Sequence, residues 1–490
     1  MTPVGGASSA TTLWDSIDWK TTESYVRRLQ IRIAKAVREG RWGKVKALQR
    51  LLTHSHSAKL LAVRRVTQNR GRHTPGVDGT IWRRSGQKWS AAQALTSRGY
   101  QALPLRRIYI PKKNGKKRPL GLPVMHDRAM HSLYLMALEP VAETQADIHS
   151  YGFRPGRSTA DAVERCFVVL CRKPSAQWIL EGDIKGCFDN IDHGWLYKHI
   201  PMDRKVLRQW LASGYMEGKT FFPTLAGTPQ GGVISPCLAN MVLDGLEDVV
   251  TRITKPSDKV HVIRYADDFV VTGTSRDLLE HHIKPAIEAF LSERGLCLSE
   301  EKTLITSVHH GFDFLGFNVR KYGHKLLIMP SKSSIKSFLR EIREDIKCSV
   351  SVPTIGLIRR LNQKIRGWVN YYRHVVAKRA FRFVDHVIFW AVWKWSHRRH
   401  PNKSAKWRYK KYFAGQGHRR WVFHTRFVGT DGEVKAFCLI HASDTPIRRH
   451  RQLIAAATPY DPAFFAYFRD RSRRVAMIPP GLPGRFTTTF

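Results

Sequence analysis

Two adjacent aspartates, Asp267 and Asp268, stand between runs of strand-forming residues, and few folds place a pair of acids there. His261, Val262, Ile263 and Tyr265 precede them; Phe269, Val270, Val271 and Thr272 follow. β-Branched and aromatic side chains favour a pleated strand, and mutually repelling carboxylates favour a tight turn. The stretch 261–272 therefore predicts a β-hairpin with two acids at its tip. Like charges held so close call for a cation, and hard oxygen ligands with an incomplete shell suit Mg²⁺. A solvated acidic turn has the same signature, so the pair needs a third acid to acquire chemical meaning.

Asp183 supplies it. Trp178-Ile-Leu-Glu-Gly-Asp-Ile184 reads as a buried strand ending at that acid. A turn at Lys185, Gly186 and Cys187 follows, then Phe188-Asp-Asn-Ile-Asp192, with a helix expected from near His193. A strand-end carboxylate facing an acidic hairpin forms a three-acid site. Such a site holds two Mg²⁺ about 3.5–4 Å apart, which activate an attacking 3′-oxygen and neutralise a leaving pyrophosphate. The pattern resembles polymerase palm domains, and the Tyr-x-Asp-Asp form resembles reverse transcriptases.

The charge points to the partner. Over 490 residues, 82 Lys and Arg stand against 39 Asp and Glu, a net charge of +43, which calls for a polyanion. The excess is uneven: residues 331–490 hold 33 basic and 9 acidic residues, which reads as a nucleic-acid grip more than a catalytic unit. Seven scattered cysteines without a Cys-x-x-Cys pair argue against a disulfide framework or a zinc ribbon, and fit a reducing, cytoplasmic compartment of bacterial type. No apolar run approaches the roughly 18 residues of a membrane span, so no membrane partner is expected. Met1–Thr12 lacks a charged and an apolar region, so no secretory signal is expected.

Along the chain, apolar residues three and four apart predict basic helices over 21–52, broken at Gly40. A strand is expected over 106–111, a basic hairpin turn over 112–118, and a helix over about 126–142. The loop 227–236 leads into an expected apolar helix over 237–250, and another helix is expected over 276–294. From about 331 the pattern turns to basic helices. Ile358, Leu361, Ile365, Trp368 and Tyr372 form one face, with Arg359, Arg360, Lys364, Arg366 and Arg373 around it. Beyond His400, Lys406, Arg408, Lys410 and Lys411 alternate with Trp407, Tyr409, Tyr412 and Phe413. The class expected is α+β up to about 330, then a mainly helical part.

Taken together the motifs resemble those of group II intron-encoded proteins, reverse transcriptases with maturase activity, over nearly the whole length. The blocks that carry the resemblance are Arg107-Ile-Tyr-Ile-Pro-Lys112 with Arg118-Pro-Leu-Gly121, Ser150–Ser158, Asp183–Asp192 and Thr228-Pro-Gln-Gly231 with Ser235-Pro236. Further along come Tyr265-Ala-Asp-Asp268, Ser299-Glu-Glu-Lys-Thr303, Phe314-Leu-Gly-Phe317 and Leu361–Tyr372. The resemblance implies a polymerase right-hand fold. An N-terminal extension with basic helices spans 1–59, fingers and palm 60–330, a helical thumb or maturase domain 331–400, a basic DNA-binding domain 401–480 and a tail 481–490.

It also implies roles. Asp183, Asp267 and Asp268 would hold two Mg²⁺ with a dNTP. Lys112 and Arg118 would clamp the triphosphate. Phe188 would clash with a 2′-OH and select dNTPs. Gln230 and Gly231 would approach the nascent base pair, Gly where backbone must come close. Lys302 would protonate the leaving pyrophosphate. Arg359, Arg360, Lys364, Arg366, Arg373, Lys406, Arg408, Lys410 and Lys411 would contact nucleic acid, with intron RNA and target DNA as partners. The tail has no Cys pair of the kind found in the HNH nuclease of many members, so bottom-strand cleavage is not expected. Two other readings stand beside this one: an RNA-binding splicing cofactor without polymerase activity, and a reverse transcriptase domesticated for defence. The three clustered acids disfavour the first, and the maturase-like thumb with its DNA-binding tail disfavours the second.

Overall fold

Apolar residues at helical spacing build the N-terminal part of the molecule, and in the computed structural model they do so around one central helix. The structure describes residues 13–111, 115, 117–417, 419–428 and 433–476. The chain divides into two units, one comprising 1–162, 178–305 and 453–490, the other 163–177 and 306–452.

In the first unit, helices Trp19–Arg38, Trp42–His54 and His56–Gln68 turn Ile33, Leu52 and Val63 inward, each fully buried. They pack on Met125–Gln145, a helix buried on nearly every side. A helix covered on nearly every side is the core of its unit: each Leu or Met so buried contributes roughly 1.5–3 kcal/mol, while its buried Asp127, Arg128 and Glu143 keep hydrogen-bond partners. Strands β1 (Leu105–Pro111) and β2 (Lys117–Leu122) form an antiparallel pair. Lys112 lies outside the described residues. The second sheet of this unit runs through β3 (Trp178–Asp183), and β4 (Tyr215–Glu217) and β5 (Thr220–Phe222) extend the first in the order β2-β1-β4-β5. Strands β6 (Val262–Tyr265), β7 (Asp268–Gly273) and β8 (Leu304–Ser307) complete the second sheet, order β6-β7-β3-β8, with the chain leaving the unit inside β8. At its centre Gly182 pairs with Phe269, whose ring lies where a Cβ on residue 182 would come within 2.2 Å.

Two expected helices differ from expectation. Residues 237–250 do not form one helix: Ser235–Leu243 and Leu246–Arg252 are separated by Asp244 in extended backbone and Gly245 at φ +95°. The break turns the Asp244 carboxylate inward to a buried arginine, described below. Residues 276–294 begin as a π-helix, Leu278–Ile283, before the α-helix Lys284–Ser292. Pro285 has no N–H for the carbonyl four residues back, which favours the wider turn.

In the second unit, β9 (Phe312–Phe314), β10 (Phe317–Tyr322) and β11 (Lys325–Pro330) form an antiparallel sheet. Helices Lys332–Lys347, Thr354–Tyr372 and Lys378–Arg399 follow, with Ile342, Leu361, Ile365, Phe381 and Trp395 fully buried. After the helix Ala405–Tyr412 the expectation of a mainly helical part is corrected. Strands β12 (Phe413–Gln416), β13 (Arg419–Val428) and β14 (Val434–Cys438) form an antiparallel sheet. The run Trp421-Val-Phe-His-Thr-Arg-Phe-Val428 is rich in β-branched and aromatic residues and buries Val422 and Phe423. Asn362 ties this sheet to its helix, donating to the Cys438 carbonyl at 2.9 Å and accepting from the Ile440 N–H at 2.9 Å. Among the described residues no helix is long and apolar enough to cross a membrane.

Candidate functional site

The β3–β7 register sets Asp183 directly opposite Asp268, and Tyr265 of β6 pairs with Asp268 from the other side. Ala266 and Asp267 are left as a two-residue turn. Ala266 has φ +59°, a left-handed conformation that costs a non-glycine residue roughly 1–2 kcal/mol. The strained turn is gripped from behind. Gly152 packs so closely that a Cβ there would lie 2.3 Å from the Ala266 nitrogen, and the Tyr151 N–H donates to the Arg264 carbonyl at 2.8 Å. Asn240 donates to the Gly152 carbonyl at 2.8 Å and accepts from Arg264 at 3.2 Å.

Arg264 anchors the hairpin from within. It is 1% exposed, and its guanidinium pairs with Asp244 and lies 3.8 Å from Asp147. Burial pushes Asp244 up to about 7, against the pull of Arg264. A buried arginine deprived of such partners would be an uncompensated charge, so the Asp244 break and the hairpin depend on each other.

The acids feel one another. Burial raises the Asp267 pKa and Asp183 raises it further, while Arg118 and Lys302 oppose the shift. The Asp268 side chain reaches the surface, yet enough protein surrounds its carboxylate that withdrawal from water, then Asp267 and Asp183, push it up to about 7. Lys302 places its ammonium 2.8 Å from Asp183, and that hydrogen bond raises the lysine pKa. Its delivery is local: the Lys185 N–H donates to the Cys297 carbonyl at 3.0 Å, and the Ser299 N–H to the Asp183 carbonyl at 2.8 Å. Among the described residues no three His, Cys, Asp or Glu side chains form a ready-made metal cage. Two carboxylates held against their own ionisation, with a lysine ammonium on the third acid, nonetheless fit an open divalent site. Mg²⁺ commonly takes one or two protein carboxylates and draws its other ligands from water and phosphates.

The loop after Leu225 closes over the same strand end. The Gly227 N–H donates to the Ile191 carbonyl and the Thr228 N–H to the Phe188 carbonyl, both at 2.7 Å. Gln230 donates to Asp189 at 3.1 Å, and its carbonyl accepts from the Gly121 N–H of β2 at 2.8 Å. Gly231, at φ +113°, would bring a Cβ within 2.9 Å of the Gly121 carbonyl oxygen. The structure thus brings together Asp183, Phe188, Gln230, Gly231, Asp267, Asp268 and Lys302. Phe188 is half-buried in the short helix Cys187–Asn190, its ring 6.3 Å from that of Phe153. Arg118 is exposed on β2 rather than in the turn before it, near enough to act on Asp267.

The basic residues of the second unit differ among themselves. Arg359 and Arg360 are exposed; Arg366 and Arg373 are half-buried. Lys364 is held at 2.6 Å by both Glu341 and Asp345, so its charge is already matched. Lys406, Lys410 and Lys411 are exposed, while Arg408 lies 4.7 Å from the centre of the Trp393 ring. Sequence reasoning missed Gly152, Asn240, Asp244 and Arg264. The signal for two of them was present: a glycine beside Tyr151 and an arginine inside a strand both invite a packing explanation.

Comparison with known proteins matches three family models: the N-terminal domain of reverse transcriptase at residues 14–95, reverse transcriptase (RNA-dependent DNA polymerase) at 110–319, and the group II intron maturase-specific domain at 335–413. Protein YkfC of Escherichia coli K12 is 34% identical over 316 residues, covering 55% of this chain and 82% of that protein. Group II intron-encoded protein LtrA of Lactococcus lactis subsp. cremoris is 29% identical over 411 residues, covering 64% and 68%. An uncharacterised 91 kDa protein in the cob intron of Schizosaccharomyces pombe is 28% identical over 387 residues, covering 61% and 46%.

Proposed function

This chain belongs to the family of group II intron reverse transcriptases with a maturase domain, and from that premise we propose that it binds its intron RNA, assists splicing and copies the inserted intron into DNA. The observation that carries the reading is the pairing of Asp183 with Asp268 across β3 and β7, with Asp267 in the turn and the Lys302 ammonium on Asp183.

In this reading fingers and palm occupy 60–330, a thumb 331–400 and a DNA-binding segment 401–480. Asp183, Asp267 and Asp268 hold Mg²⁺, which when bound activates the primer 3′-oxygen and neutralises the leaving pyrophosphate. The chain's own residues do the rest. Arg118 offers a fork of donors to the triphosphate. Phe188 excludes the 2′-OH. The loop at Gln230 and Gly231 presents backbone to the nascent pair. Lys302, whose pKa is raised by Asp183, carries a proton beside the acids and gives it to the departing pyrophosphate. Exposed Arg359, Arg360, Lys406, Lys410 and Lys411 meet phosphates, with a steep salt dependence.

The test is separation of function. Asp267→Asn removes a ligand but no grip on RNA, so DNA synthesis is lost while intron binding and splicing stay near wild type. Joint loss of both activities in a folded variant contradicts the assignment.

A further inference from the structure

The last described stretch, Leu453 to Ala476, belongs to the unit that carries the acids, not to the basic unit just before it in sequence. Its contacts are specific. Arg157 donates to the carbonyls of Ala455 at 3.0 Å and Ala457 at 3.4 Å. Arg471 lies 2.5 Å from Asp161, a carboxylate that is fully buried. The other Asp161 oxygen accepts from the Ser158 N–H at 2.9 Å and hydroxyl at 2.7 Å. The Phe468 ring covers Gly156, where a Cβ would lie 2.8 Å from it. Tyr460 donates to the half-buried Glu139, and Asp461 pairs with Arg38.

Of these partners, Gly156, Arg157 and Asp161 lie at one end of the loop Ser150–Ser158 and the start of the helix after it, while Glu139 and Arg38 lie on the helices Met125–Gln145 and Trp19–Arg38. The other end of that loop is the support of the acidic turn, through Gly152 against Ala266 and the Tyr151 N–H on the Arg264 carbonyl. Between the two ends the loop is stiff. Arg154 holds Glu143 with two bonds of 2.8 and 3.0 Å and the Ser150 carbonyl at 2.9 Å. The Arg154–Ser150 bond ties the residues on either side of Gly152, the route by which a shift at Asp161 would reach Ala266.

We infer that Arg471 and Phe468 are positioning residues for polymerisation: the C-terminal strap seats the Gly156–Asp161 end of this loop and thereby fixes the Ala266–Asp268 turn. The inference rests on the polymerase reading above. It assigns to the end of the chain a part in nucleotide addition, separate from any grip on DNA.

The test uses the full-length chain as wild type, Arg471→Ala, Arg471→Lys and Phe468→Ala. Single-nucleotide extension on a primed RNA template gives kcat and KM, and hydrogen exchange follows the Tyr151 amide. In Arg471→Ala and Phe468→Ala, kcat should fall about tenfold or more, as expected when reacting groups shift by a fraction of an ångström, with KM for the dNTP within about twofold. Tyr151 exchange should accelerate by at least about tenfold as its bond to Arg264 opens more often, and Arg471→Lys should recover most of kcat. A kcat within about twofold of wild type, or a fall in kcat with Tyr151 exchange unchanged, overturns the inference. Should Arg471→Ala fail to fold because the buried Asp161 loses this cation, Phe468→Ala, which uncovers no charge, decides. Should wild type extend no primer, the polymerase reading fails by itself, and unchanged Tyr151 exchange in the variants still overturns the strap.

Discussion

Gly152→Ala should disable nucleotide addition without touching any acid. The added Cβ would stand 2.3 Å from the Ala266 nitrogen, 2.8 Å from the Tyr265 carbonyl carbon and 3.0 Å from the Ala266 Cα. All three are backbone atoms of the acidic turn, so no side chain can swing aside. Restoring even the 3.0 Å limit of real contacts requires the turn and the loop to part by about 0.7 Å. Overpacking of this kind costs roughly 1–3 kcal/mol of stability. The functional cost is larger in proportion, because a misplacement near 1 Å at reacting groups costs about 10²-fold. The expected outcome is a kcat lowered between about tenfold and 10²-fold, with binding of the primed template near wild type. Single-nucleotide extension under template saturation reads the first quantity and fluorescence anisotropy the second. Gly43→Ala, on the Trp42–His54 helix with no atom within 4 Å of the new Cβ, serves as the control. A Gly152→Ala protein with kcat within about twofold of wild type would refute the claim that this contact seats the turn.

Phe188→Val should admit ribonucleotides, since the shorter side chain vacates the space that a 2′-OH requires; unchanged dNTP-over-rNTP discrimination in single-nucleotide extension removes Phe188 from that role. His131 gives a pH dependence. It is 2% exposed, its ring 4.5 Å from that of Trp210, and burial lowers its pKa to about 4. The native state therefore refuses a proton that the unfolded chain accepts below about 6.5, so this stability is intact above that pH and is lost as pH falls toward about 4. Urea unfolding at about pH 7.5 and pH 5 should show wild type losing roughly 2 kcal/mol more than His131→Leu between them. Equal losses would show that this imidazole takes no part in the acid sensitivity.

The acidic hairpin and the strand-end Asp183 were legible because period-two patterning and an Asp-Asp pair are local properties of a sequence. The same holds for the N-terminal helices, whose apolar spacing marks the faces at Ile33 and Leu52. What holds the hairpin was not legible. An arginine inside a strand hints at a packing role for Arg264, but nothing near it in sequence announces its partners at Asp244 and Asp147. Asp244 itself lies inside an apolar run that reads as one helix, and the break there combines Gly245 at φ +95° with the tertiary pull of Arg264. The β12–β14 sheet was hidden because Arg420, Arg426 and Lys435 stand among the exposed positions of its strands and read as a basic surface. The strap escaped because its partners, Arg157 and Asp161, lie some three hundred residues earlier.

The central claim is that Asp183, Asp267 and Asp268 make this chain an RNA-templated DNA polymerase. The direct measurement is extension of a labelled DNA primer on an RNA template by purified protein with dNTPs and Mg²⁺, beside the same reaction with Asp183→Asn. The account predicts full-length cDNA from wild type, none without Mg²⁺, and a loss of at least about 10³-fold in the variant, whose thermal melt and RNA binding stay near wild type. Extension by folded Asp183→Asn at a rate comparable to wild type would contradict it.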